Sequence, residues 1–74
     1  MPSLPNLSGR DVVKAFRRDG WEKVRQRGSH VVLVKEGSMA TLSVPDHKEV
    51  AKGTLRSLIR ASGLTVDEFL KLTR

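Results

Sequence analysis

The chain is 74 residues long, with fourteen Lys and Arg against eight Asp and Glu, a formal charge of +6, and no cysteine. A chain of this length makes one domain that buries about 60% of the surface its unfolded form exposes, which leaves no room for a second domain or an enclosed cofactor cavity. Without cysteine a disulfide framework and a thiolate metal site are excluded; with neither a signal-peptide pattern nor an apolar run of membrane length, a cytoplasmic location and no membrane contact are expected.

Residues 1–7, marked by Pro2 and Pro5, are expected as a flexible N-terminal tail, and 8–74 as a single domain. Ser8 with Asp11 three residues on forms a capping-box pattern, so a helix starts there. Val12, Val13 and Phe16 recur at helical spacing, with Arg10, Lys14, Arg17 and Arg18 opposite, and Gly20 supplies the left-handed stop. Three strands follow, near Trp21–Gln26, His30–Lys35 and Met39–Val44. With Gly28-Ser29 as a two-residue type II′ loop, Arg27 faces His30, and counting outward pairs Gln26 with Val31, Arg25 with Val32, Val24 with Leu33 and Lys23 with Val34. Alternation then puts Val24, Val31 and Leu33 on one face. Trp21, Lys23, Arg25, Arg27, His30, Val32 and Val34 take the other.

If the connection through Glu36-Gly37 keeps an even count, Leu42 lies opposite Val31 and Ala40 opposite Leu33. Ser43 then sits across from His30, and Met39 and Thr41 share its face; an odd loop would bury Thr41 and Ser43 instead. Pro45 ends the third strand, and Asp46 to Lys52 is a polar loop. Gly53-Thr54 opens a second helix with Leu55, Leu58 and Ile59 as its buried stripe and Gly63 as its stop. Thr65 with Glu68 caps a short final helix carrying Val66, Phe69 and Leu70. The fold class expected is α+β, in the order α-β-β-β-α-α: a three-stranded antiparallel meander with helices on one face and a polar, basic face opposite.

Charge is unevenly spread. Between Arg10 and Lys35 eight basic residues meet three acidic ones, so +5 of the +6 lies there. Such a face suits a polyanion, most often nucleic acid, or an acidic protein, and a merely solvated surface accounts for it as well. His30 read alone is a strand-edge histidine at a hairpin; Trp21 is either a base-stacking platform or a ring packed at the sheet's end. Val32 and Val34 on the open face suggest a protein-docking surface. Two histidines with scattered carboxylates make no zinc spacing, so no metal site is expected.

Several motifs in order carry a resemblance: Gly20-Trp21, Arg27-Gly28-Ser29-His30, Val44-Pro45 with His47, Lys52-Gly53-Thr54-Leu55-Arg56-Ser57-Leu58-Ile59-Arg60, and Ala61-Ser62-Gly63-Leu64-Thr65. Together they resemble the HicA family, whose members are mRNA interferase toxins of type II toxin-antitoxin pairs. Ser62 departs from the bulkier residue the family pattern suggests, and the Gly-Ser-His motif is intact. The resemblance implies a double-stranded-RNA-binding-domain-like fold and a cofactor-independent endoribonuclease acting on mRNA. It also implies neutralisation by a HicB-type antitoxin; an oligomer, if one forms, would be assembled through that antitoxin. The family's catalytic histidine matches His30. His47 matches a second, less diagnostic histidine and receives no catalytic role.

That chemistry needs little besides a base and charge stabilisation, because the ribose 2′-hydroxyl is a built-in nucleophile. Imidazole, with an ordinary pKa of about 6.5, suits proton transfer near neutral pH. Lys23, Arg25 and Arg27, with Ser29 and Ser43, are the expected RNA contacts. A non-catalytic module of double-stranded-RNA-binding type, or a subunit that docks an acidic protein, are the alternatives.

Overall fold

Both capping boxes form where the sequence places them. In the computed structural model, which describes residues 3–74, the Ser8 hydroxyl accepts from the Asp11 N–H and the Asp11 carboxylate accepts from the Ser8 N–H, opening α1 (Gly9–Arg18). Thr65 and Glu68 do the same for α3 (Val66–Leu72). Between them lie β1 (Glu22–Arg27), β2 (His30–Val34), β3 (Thr41–Pro45) and α2 (Lys52–Ser62). The strands form one antiparallel sheet in the order β1-β2-β3, and the helices pack on one face of it. This is the α+β order expected, compatible with a double-stranded-RNA-binding-domain-like fold. No helix among the described residues is long and apolar enough to cross a membrane.

The apolar stripes of the helices meet the inward residues of β2 and β3. Val12 and Phe16 of α1, Leu55 and Ile59 of α2 and Phe69 of α3 enclose Val31, Leu33, Leu42 and Val44. Phe16 is the hinge pin of this core. Its ring meets Trp21 edge-on at 6.3 Å between centroids and Phe69 at 5.0 Å, contacts worth about 0.5–1.5 kcal/mol each beyond their burial. Trp21 is therefore core and not a stacking platform; its indole N–H donates to Asp19, whose carboxylate also pairs with Lys35. The short α3 is held by Phe69 and by the Arg18 guanidinium, which donates to the Leu72 carbonyl at 2.7 Å and to that of Arg74.

Several expectations are corrected. The segment ahead of α1 lies against the domain: Leu4 is only 3% exposed, and the Leu7 carbonyl accepts from the Val50 N–H; Met1 and Pro2, the rest of the expected tail, lie outside the described residues. The loop after β3 is irregular, as expected, yet it anchors the core through Val50. The β1–β2 register follows the hairpin count from Arg27↔His30 through Arg25↔Val32 and then shifts, pairing Lys23 with Leu33 and Glu22 with Val34. Val24 is the extra residue of a β-bulge. It is 53% exposed instead of lining the apolar face, because two residues of β1 oppose one of β2 at that point. Beyond the bulge the alternation inverts, so Lys23 leaves the face that carries His30.

The β2–β3 pairing keeps the expected parity but slips by two residues. Leu33 pairs with Leu42, Val31 with Val44 and His30 with Pro45, so Ser43 sits across from Val32 and not from His30. A six-residue connection from Lys35 to Ala40 sets this register, with Gly37 at φ 86°. A slip of two preserves which face each side chain takes.

Candidate functional site

The hairpin turn forms as its residues dictate. Gly28 takes φ 58°, and Ser29 needs no positive φ, as in a type II′ loop with glycine at its first central position. The turn therefore places Arg27 and His30 as directly paired residues, with Cα atoms about 5 Å apart. Arg25 lies two residues along β1, paired with Val32, and Val32 pairs in turn with Ser43 on β3.

These residues share the sheet face that no helix covers. Arg25, Arg27, His30, Thr41 and Ser43 rim a shallow hollow whose floor is Val32. All five rim residues are exposed. Val32 is 6% exposed and stands apart from the main core, because on a central strand it is flanked by the side chains of both neighbours; Val34 is half-buried. The expected pair of exposed valines is thus absent, and with it the apolar docking patch. Ser43 is a diagonal neighbour of His30 across β2 and β3, a separation of about 7–8 Å that a ribose-phosphate can bridge. Strand parity puts Thr41 on this face, and the pairing with Val34 brings it to the rim.

The position of His30 is fixed from below by backbone contacts. The Asp46 N–H donates to the Ser29 carbonyl at 2.6 Å, extending the β2–β3 pairing one step beyond Pro45. The next residue, His47, gives its carbonyl to the Gly9 N–H at 2.8 Å. Gly9 is required there: a Cβ would strike the Pro45 carbonyl oxygen and lie 2.9 Å from the Asp46 Cα. The α1 N-terminus, the end of β3 and the turn that carries His30 are therefore one interlocked unit. Sequence reading missed the role of Gly9; a glycine at the first helical position just after a capping serine was the available signal.

Lys23 is separated from the others. With Gln26, whose side-chain oxygen accepts from its ammonium group at 3.4 Å, it faces α1 on the opposite side of β1. Among the described residues no group of three or more His, Asp or Glu side chains gathers as a metal-ligand set.

A comparison with known families agrees with what the motifs suggested. The profile described as HicA toxin of bacterial toxin-antitoxin matches residues 9–64 of the chain, a span that takes in α1, the whole sheet and α2. No curated protein sequence matches significantly. The match covers three-quarters of the protein and includes the hairpin histidine with the hollow around it, so the chain belongs to the HicA family, toxins of bacterial toxin-antitoxin systems.

Proposed function

We propose that the protein is an endoribonuclease that cuts mRNA at the hollow around His30, without a cofactor. What carries this reading is the gathering of one imidazole, two guanidinium groups and two hydroxyl-bearing side chains on a sheet face that no helix covers. The ribose 2′-oxygen attacks the adjacent phosphorus, the bond from phosphorus to the 5′-oxygen breaks, and a 2′,3′-cyclic phosphate and a 5′-hydroxyl result. His30 acts as the general acid or base, taking the 2′ proton or supplying one to the departing 5′-oxygen, and water carries the other proton. Arg25 and Arg27 bind the non-bridging phosphate oxygens, whose negative charge grows in the transition state, and so favour that state over the ground state. Ser29 and Ser43 offer hydroxyls to the ribose and phosphate beside the cut.

As a toxin the protein has an antitoxin partner. A HicB-type antitoxin laid over this open face would exclude RNA and silence it. The test uses end-labelled RNA carrying a single 2′-deoxynucleotide at a mapped cut position. Cleavage there should disappear while other positions are cut, leaving cyclic-phosphate ends, and cutting should continue in EDTA. Cleavage at the deoxy position would overturn the mechanism. Salt-sensitive binding of duplex RNA with no cleavage of any RNA would favour a binding module instead.

A further inference from the structure

We infer that the groove between α1 and β1 is a second track for RNA backbone, leading the strand around the free edge of β1 toward the His30 hollow. The inference rests on the endoribonuclease reading and adds a binding surface to it. Helices α1 and α2 pack over β3, and all six residues of β1 remain exposed. The sheet is consequently uncovered along β1 even on its helix side, where an open groove of about 800 Å³ runs beside α1. Arg10, Lys14 and Arg17 line it from the helix, and Lys23 with Gln26 from the strand.

The bulge at Val24 gives this groove its far wall. With unbroken alternation Lys23 would join Arg25 and Arg27; the register shift instead pairs it with Leu33. One edge strand thereby shows arginines to the His30 hollow and a lysine to the groove. A strand of RNA crossing that edge meets cations on both sides.

Spacing and charge favour a phosphate chain over a protein partner. Positions 10, 14 and 17 follow one stripe of the helix and span about 10 Å at 1.5 Å per residue, a line of cations able to track a sugar-phosphate backbone. None of these three residues, nor Lys23, has a carboxylate partner among the described residues, where the ion pair is that of Lys35 with Asp19. Asp11 and Asp46 also line the groove, but Asp11 is engaged with the Ser8 N–H. Protein interfaces are centred on desolvated aromatic or aliphatic anchors and are poor in lysine. Here the lining holds no aromatic ring, and its apolar side chains are a half-buried Val13 and a buried Val31.

The experiment measures binding of a single-stranded oligouridylate of about twelve nucleotides across a salt series, in a His30→Ala background so that the RNA stays intact and the result does not depend on cleavage. Each phosphate contact on a single strand contributes about 0.7 to the slope of log affinity against log salt. Lys14→Ala with Arg17→Ala should lower that slope by about 1.4, and Lys23→Ala by about 0.7. Over a fourfold rise in salt the double variant would lose about sevenfold less affinity than its parent. Removing the same charge from α2, by Arg56→Ala with Arg60→Ala, should leave the slope in place. Equal reductions from both pairs would show a general charge effect and overturn the proposal. So would an unchanged slope in the groove variants, and if these then lost binding to poly-glutamate, the groove would belong to an acidic protein. Failure of RNA cleavage in the native protein would refute the endoribonuclease and with it the delivery of the strand to the hollow, while the salt slope would still report separately whether RNA binds the groove.

Discussion

Gly9→Ala should destabilise the protein, although an alanine in a helix ordinarily does the reverse. The added Cβ strikes the Pro45 carbonyl oxygen and comes within 2.9 Å of the Asp46 Cα, both backbone atoms that cannot swing aside. Forcing a methyl into such a contact costs about 1–3 kcal/mol. Retreat of α1 would also sacrifice the Gly9 N–H to His47 carbonyl bond, worth about 1 kcal/mol. Against these stands a gain in helix propensity of at most about 1 kcal/mol. The net is a loss of about 2 kcal/mol, and at 4–8 °C per kcal/mol for a domain of this size the melting temperature should fall by about 8–16 °C. Gly53→Ala is the matched control: Gly53 also lies in the first turn of a helix, with nothing within 4 Å of where its Cβ would be, so that variant should be neutral or slightly more stable. Differential scanning calorimetry gives both numbers, and amide exchange at Asp46, which should quicken in Gly9→Ala, locates the damage. A Gly9→Ala protein that melts at or above the wild-type temperature would refute the interlock between α1 and the end of β3.

Phe69→Ala should cost about 3–5 kcal/mol, a large share of the roughly 4–11 kcal/mol available to a chain of this length, while Phe69→Leu should keep a cooperative urea transition; a loss below 1 kcal/mol for the alanine variant would mean that α3 does not close the core. Arg18→Ala removes the donor to the Leu72 carbonyl, so amides of 66–72 should exchange faster with a global loss of only about 0.5–1.5 kcal/mol, and unchanged exchange there would count against that contact.

What could be read from the sequence was the part written in short-range chemistry. Ser8 with Asp11, Thr65 with Glu68, and Gly63 each announce a helix end through a side chain or a backbone angle. Gly28 announces the hairpin, and with it the pairing of Arg27 and His30. The candidate site was legible to the same extent, since Arg25, Arg27, His30 and Ser43 depend only on the turn and on strand parity. The bulge was not legible: β1 reads Glu-Lys-Val-Arg-Gln-Arg, and a lone valine among polar residues does not reveal that two residues oppose one. Hence Val24 was misplaced, and Lys23 with it. The slip of two in β3 has another origin: alternation fixes the face but not the partner, and counting from Glu36-Gly37 misses what Gly37-Ser38, the same dipeptide as in the first turn, signals. Counting outward from Gly37-Ser38 gives the observed Val34↔Thr41 and Leu33↔Leu42. Burial of Leu4 and Val50 went unseen because each is an isolated apolar residue among prolines or charges, with no period to mark it. Helix α2 begins at Lys52 after Ala51, which provides no side-chain cap, so its start lacked the signal that marked the other two.

The measurement that bears most directly on the proposed chemistry compares RNA cleavage by wild-type and His30→Ala proteins under single-turnover conditions, each checked by thermal melting. His30 is exposed, so the substitution should shift stability by no more than about 0.5 kcal/mol, while the cleavage rate should fall by about 10²–10⁴-fold, the usual contribution of a positioned acid or base. A folded His30→Ala protein that cuts RNA at the wild-type rate would contradict the assignment and would move the reaction away from the hollow between Arg25, Arg27 and Ser43.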